Sequence, residues 1–355
     1  MFEAGAADRY VEALAQEISS WNIVDRPELV DTVYFGGGTP SLLTVEQLER
    51  IVTAVRARFT IAVETEITIE MNPGDAADRP QKLDGWRRLG INRVSFGAQT
   101  FDDDALRQLG RTHTAADIRN TFQQLRDAGF DNINFDLIGG LCGQTLAGWK
   151  SNLSEALALR PEHLSLYLLE VHDGTPLSDQ IRRGQRTPLE DELTAEMYRI
   201  MIETVGNAGY EYYEISNFAL HGRESRHNSK YWSGAPYYGF GCSAHSYDGD
   251  RLRWSNERDS ARYTNLVASG ASPLVEKTEL NDREAQAESL FLGLRLMRGL
   301  DVRDFRLRFG TDPLVQYRSD LERFNAAGLI ELDGDVIRLT ASGALLSNEV
   351  FAAFV

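Results

Sequence analysis

Along residues 31–169, five short apolar runs alternate with amphipathic segments at intervals of roughly 30 residues. The runs lie at 31–35, 66–70, 93–97, 132–138 and 163–169. Between them, apolar residues fall at helical spacing, as in Leu48, Ile51, Val52, Val55 and Phe59. A further helix precedes the first run, at 8–21, with Val11, Leu14, Ala15, Ile18 and Trp21 on one face. Such alternation predicts an α/β fold with a parallel sheet and crossover helices. Polar residues after each run favour part of a (β/α) barrel, whose site lies at the C-terminal ends of its strands. A doubly wound sheet is the competing architecture.

The first run stops at Gly36-Gly37-Gly38-Thr39-Pro40, and Thr44 with Gln47 then starts a helix as a capping box. Glycine permits positive φ and carries no Cβ, so a backbone of this kind can approach a small polar ligand closely. A tight strand-to-helix turn without a ligand has the same signature, and both readings stand.

After residue 175 the alternation ends. A helix at 191–207 is followed by irregular sequence rich in aromatics, among them Tyr212, Tyr213, Tyr231, Trp232, Tyr238 and Phe240. From residue 281, helices at 282–297, 302–309 and 314–327 lead into a hairpin turned at Asp333-Gly334, the pattern of a winged helix. The predicted division is a barrel at 1–175, an aromatic-rich linking region at 176–280 and a winged-helix-like domain at 281–355.

That last domain holds nine Arg, no Lys and twelve Asp or Glu. The chain as a whole has a net charge of -16 and a pI near 4.9, which argues against nucleic acid as a partner. Two cysteines, Cys142 and Cys242, exclude a disulfide framework and point to a reducing, cytoplasmic setting. No apolar run approaches the ~18 residues of a transmembrane helix, and the first residues lack the pattern of a signal peptide.

Polar residues at the ends of the runs are the candidate site: Gly37, Gly38 and Thr39, then Glu70 and Asn72, Gln99, Asp136 and Glu170. A carboxylate inside NINFDLI is costly to bury alone, so Asp136 is either a ligand-binding group or half of an ion pair. Arg111 is the expected partner in the second case. In His227-Asn228-Ser229-Lys230-Tyr231-Trp232 an imidazole stands beside two aromatics, a combination suited to haem iron and a flat macrocycle, or simply to a packed histidine. His245 admits the same two readings.

The segments YFGGGTPSLL, EMNPGD, VSFGAQTFDDDALRQLGRTH, NINFDLIGGLCGQT, HLSLYLLE, YEISNFA, RHNSKYW and AHS follow one another in this order. Together they resemble the radical S-adenosylmethionine family of oxygen-independent coproporphyrinogen III oxidase-like proteins, from about residue 8 to 355. HNSKYW resembles the HNxxYW motif of its haem-chaperone branch. The resemblance implies a partial (β/α) barrel that binds S-adenosylmethionine and a [4Fe-4S] cluster. Gly37, Gly38, Thr39 and Glu70 would contact S-adenosylmethionine, with Gln99, Arg111, Asp136 and Glu170 further round the mouth and His227 toward haem. Haem or a porphyrin, a haem-acceptor protein and a transient membrane contact are the implied partners.

Family members begin with a strand and CxxxCxxC, whose thiolates hold the cluster. This sequence starts after that point, and neither Cys142 nor Cys242 stands in a matching position. The expectation is therefore a barrel lacking its first strand, with no cluster ligands and no catalytic residue assigned. Either the chain is incomplete, or the member is degenerate and kept only a binding role. The leading function is a haem-binding chaperone, on the strength of HNSKYW; an oxidase that decarboxylates coproporphyrinogen III is the rival, and a scaffold without ligand chemistry the third reading.

Overall fold

The computed structural model describes residues 5–21, 29–75 and 80–354. The five runs form parallel strands: β1 (Leu29–Phe35), β2 (Thr60–Met71), β3 (Arg93–Gln99), β4 (Ile133–Gly139) and β5 (His163–Leu168). Two antiparallel strands, β6 (Glu211–Glu214) and β7 (Asn217–Ala219), extend them into one curled seven-stranded sheet. Its order is β1-β2-β3-β4-β5-β7-β6, a half-barrel rather than a doubly wound sheet, whose strand order would reverse at an internal switch point.

Each crossover helix is delimited by the chemistry expected of it. Thr44 caps Val45–Arg58 through a complete capping box with Gln47, and Thr114 does the same for Ala115–Asp127 with Asp117. Trp149 and Leu153 of Leu146–Leu159 are fully buried, and the Trp149 indole N–H donates to the Met197 carbonyl oxygen, 3.1 Å away.

Alternation along paired strands sorts side chains between two faces. Ile69, Val94, Phe96, Ile133, Phe135, Leu137, Leu164 and Leu166 are all buried. Phe135 packs against Phe96 and, from the helix Ala115–Asp127, Phe122. The opposite face is polar. Register places Thr68 beside Arg93, Glu70 beside Ser95, Ser95 beside Asn134, Asn134 beside His163 and Asp136 beside Ser165. A closed barrel of this class fills its interior with branched apolar residues. Here the face that would line the interior is polar.

The stretch after 175 is more regular than its sequence predicts. Besides β6 and β7 it contains the helix Arg226–Trp232 and a second sheet of β8 (His245–Tyr247), β9 (Leu252–Asn256) and β10 (Leu274–Glu279). Strands of three to six residues are too short to show a period, which is why the sequence reads as irregular there. Near the C-terminus, β11 (Leu300–Asp301), β12 (Ile330–Asp333) and β13 (Val336–Leu339) form a small sheet with the expected Asp333-Gly334 turn. The predicted helix at 314–327 divides into Pro313–Gln316 and Arg318–Ala326.

Two compact units divide the chain. One comprises Met1–Val33, Leu43–Glu66 and Arg226–Val355; the other comprises Tyr34–Leu42 and Ile67–Ser225.

Candidate functional site

Within the second unit the triple glycine is organised around one carboxylate. Glu70, near the end of β2, accepts the Tyr34 hydroxyl at 2.8 Å and the Gly37 backbone N–H at 3.0 Å. The glycines divide the work. Gly37 and Gly38 have φ of 75° and 63°, a left-handed conformation that L side chains resist. At Gly36 the reason is space: a Cβ would lie 2.6 Å from the Tyr34 ring and 3.0 Å from Glu70 Oε1. The turn is tied down from behind by residues that sequence reading missed. Ser41 donates to Asp75 Oδ2 at 2.5 Å, the same oxygen accepts the Asn72 backbone N–H, and Lys82 Nζ donates to the Ser41 carbonyl.

Gln99 is buried and holds φ of 65°, rare for a residue with a side chain. Gly97, two residues earlier, leaves room for its amide and for Asn72, since a Cβ there would meet them at 3.0 and 3.2 Å. Arg111 Nη1 lies 3.4 Å from Asn72 Oδ1, so Gln99, Asn72 and Arg111 form one polar cluster beside Glu70.

The expected Asp136–Arg111 ion pair is not formed. Asp136 accepts from Asn134 Nδ2 at 2.7 Å, with the Ser165 hydroxyl also bonding to it, and the cation facing it is Arg93. Arg93 reaches the interior from the start of β3, only 1% exposed, with no hydrogen-bond partner for its Nε. Burial nevertheless dominates and pushes the Asp136 carboxyl up to about 6, with the nearby Glu70 charge acting in the same direction. Burial also drives the Tyr34 hydroxyl upward, reinforced by Glu70. Glu170 is well exposed and pairs with His172 at 3.6 Å.

The structure therefore brings Gly37, Glu70 and Asp136 into one electrostatic group, with Gly38 and Thr39 in the adjoining turn. Gln99 and Arg111 meet through Asn72 and Gly97. Arg93, Asn134, His163 and Ser165 were not singled out in the sequence, although each sits two residues from another polar residue inside an apolar run.

The HNSKYW segment lies in the other unit as the helix Arg226–Trp232. Its N-terminus is held by the buried carboxylate of Glu66, which accepts the backbone N–H groups of Arg226 and His227 at 3.2 and 3.1 Å. Asp31 pairs with Lys230 at 2.7 Å and with Arg226 at 3.4 Å. Both His227 ring nitrogens have neighbours: Nδ1 lies 3.3 Å from Thr32 Oγ1 and Nε2 lies 2.9 Å from the Tyr231 hydroxyl. The two aromatics are packed. Tyr231 meets Tyr237 edge-on at 4.6 Å, and the Arg295 guanidinium lies 4.3 Å over Trp232. His245, on β8, is exposed.

Known proteins resemble this chain in sequence and in fold. Residues 7–154 match the radical SAM superfamily and residues 280–346 match the HemN C-terminal domain. Coproporphyrinogen III oxidase (HemN) from Escherichia coli, a radical SAM enzyme, superposes with a TM-score of 0.82 at 24% identity, covering all of this chain and 84% of that one. The sequence matches and the shared fold define a radical SAM protein. Heme chaperone HemW of Bacillus subtilis is 37% identical over 350 residues, 98% of this chain and 91% of that protein. HemW of Lactococcus lactis is 36% identical over 349 residues, and that of Escherichia coli 29% over 355. The chain belongs to the HemW family of radical SAM proteins.

The two cofactors the superfamily implies fare differently against these residues. S-adenosylmethionine carries an ammonium and a sulfonium cation, and the trough offers the carboxylates of Glu70 and Asp136 beside a turn from which Cβ atoms are missing. Those residues fit. For a [4Fe-4S] cluster, no group of three or more His, Cys, Asp or Glu among the described residues is placed to hold a metal ion. Cys142 and Cys242 are both free and fall in different units. The described residues do not fit the cluster. No described helix is long and apolar enough to cross a membrane.

Proposed function

We propose that this chain is a haem chaperone, binding haem as cargo for an acceptor protein and S-adenosylmethionine at the strand-end trough. The observation that carries the haem reading is likeness over nearly the whole chain to proteins named Heme chaperone HemW. The helix Arg226–Trp232 supports it, because it presents an imidazole on a segment fixed at its N-terminus.

In this reading His227 is the haem contact. Its Nε2 is engaged by Tyr231, so ligation to iron requires that hydroxyl to swing away. In the trough, Glu70 and Asp136 hold the cationic end of S-adenosylmethionine. Gly37, Gly38 and Thr39 form the close backbone wall, with Gln99 and Arg111 beyond it and Glu170 at the exposed margin. The part these residues would take is to bind and orient S-adenosylmethionine.

Titrating haem into the purified chain tests the assignment. His227→Ala is expected to abolish the shifted Soret band, and an unchanged spectrum overturns the haem site. Conversion of coproporphyrinogen III by the same preparation would instead favour the oxidase reading.

A further inference from the structure

The polar face of the sheet contains a hydrogen-bond chain whose direction is fixed by chemistry. The Ser225 backbone N–H donates to the Tyr213 hydroxyl oxygen at 3.3 Å, and that oxygen lies 2.7 Å from His163 Nε2. His163 Nδ1 lies 2.6 Å from Asn134 Oδ1, and Asn134 Nδ2 donates to Asp136 Oδ1 at 2.7 Å. His163 and Asn134 are essentially inaccessible to solvent.

The Asn134 amide sets the direction. Its Nδ2 also donates to Ser95 Oγ at 2.9 Å, and its Oδ1 lies 3.2 Å from the Ser165 hydroxyl, whose one hydrogen is shared between Oδ1 and Asp136. Turning the amide over would press a carbonyl oxygen against the Asp136 carboxylate, so this orientation is required. Oδ1 can only accept, so His163 Nδ1 carries the hydrogen. A second ring proton is opposed by burial and by the Arg93 guanidinium, which hold the imidazole pKa well below its ordinary value. Nε2 is then a bare acceptor for the Tyr213 hydroxyl. Every donor in the chain points toward Asp136.

We propose that His163 is a positioning residue for the strand-end site. As a neutral imidazole protonated at Nδ1, it fixes Asn134 and thereby aims the Asp136 carboxylate into the trough. This role rests on the reading of the trough as the seat of a cationic ligand, S-adenosylmethionine. The charged and titratable groups facing this chain are Arg93, Glu70 and Tyr34, none of which supplies His163 with a hydrogen bond. The chain starts at Ser225, immediately before the helix that carries His227.

Long-range 15N–1H spectra of the full chain between pH 5 and 8 test the direction, with His163 assigned through His163→Gln. The expected result is a single Nδ1–H tautomer that does not titrate. An Nε2–H tautomer, or titration near 6.5, overturns the proposal. Calorimetric titration with S-adenosylmethionine tests the role. His163→Leu is expected to weaken binding at least tenfold. His163→Gln, whose amide both donates and accepts, is expected to stay within threefold of the unsubstituted chain. Equal weakening in both overturns the positioning role. If the leucine variant fails to fold, Tyr213→Phe removes a single oxygen and should weaken binding several-fold; unchanged affinity there also overturns it. If the unsubstituted chain shows the predicted tautomer but no binding, the reading of the trough fails, and the positioning role fails with it, while the direction of the chain is established.

Discussion

The trough at the strand ends and the helix bearing His227 differ in what must move before a ligand can bind. In the trough the candidate ligand groups are held by neighbouring residues: Glu70 by Tyr34 and Gly37, Asp136 by Asn134, Gln99 by a strained backbone. In the helix Arg226–Trp232 no residue is fully buried, Glu66 holds the backbone at its start, and both His227 ring nitrogens have neighbours. The candidate iron ligand itself rests against a tyrosine hydroxyl that must leave. Preorganisation suits a small ligand bound in one pose, since less ordering is required on binding. An imidazole whose Nε2 is already occupied must exchange a hydrogen bond for its cargo, which suits cargo that has to be released.

The sharpest break in this comparison is expected from Glu70→Ala. It removes the acceptor for both Tyr34 and the Gly37 N–H, and charge-assisted bonds of this kind are worth about 1.5–3 kcal/mol each. S-adenosylmethionine affinity should fall at least about a hundredfold by calorimetry, with haem binding retained. Gly36→Ala should come next, because its methyl collides with the Tyr34 ring and Glu70. Gly37→Ala has open space around its Cβ but a φ of 75°, so it is expected to cost only about 1 kcal/mol in a urea melt.

Asp136→Asn separates stability from binding. The native carboxyl keeps its proton to about 6, above its ordinary 3.8. Between those values the folded state binds more protons than the unfolded one, so stability falls as pH rises through that window and is level above it. The amide removes the penalty of a buried charge at pH 7 and should stabilise the fold by about 1–2 kcal/mol, while binding of a cationic ligand weakens several-fold. Loss of both stability and binding would show that Asp136 acts structurally. The smallest effect is expected at Tyr231→Phe, which frees His227 Nε2 and should raise haem affinity a few-fold in a spectral titration. A fall would make the hydroxyl part of the haem seat.

The five parallel strands were legible because strands covered on one face by helices read as apolar runs, and glycines with capping boxes marked their ends. The strands of the second sheet were not, because three to six residues cannot establish a period. In the site, Gly37, Glu70 and Asp136 were visible as polar breaks in apolar sequence. Arg93, His163 and Glu66 were overlooked because each lies within a run, where a single polar residue looks like an interruption. The usable signal was the pairing at a spacing of two: Thr68 with Glu70, Arg93 with Ser95, Asn134 with Asp136, His163 with Ser165. The Arg111–Asp136 pairing failed because sequence proximity to a strand end says nothing of depth, and Arg93 enters from below.

Crossed titrations of Glu70→Ala and His227→Ala with both ligands test the assignment of S-adenosylmethionine to the trough and haem to His227. Glu70→Ala is expected to lose S-adenosylmethionine and keep the Soret shift, and His227→Ala to do the reverse. Loss of the Soret shift in Glu70→Ala, with the protein still folded, would contradict it.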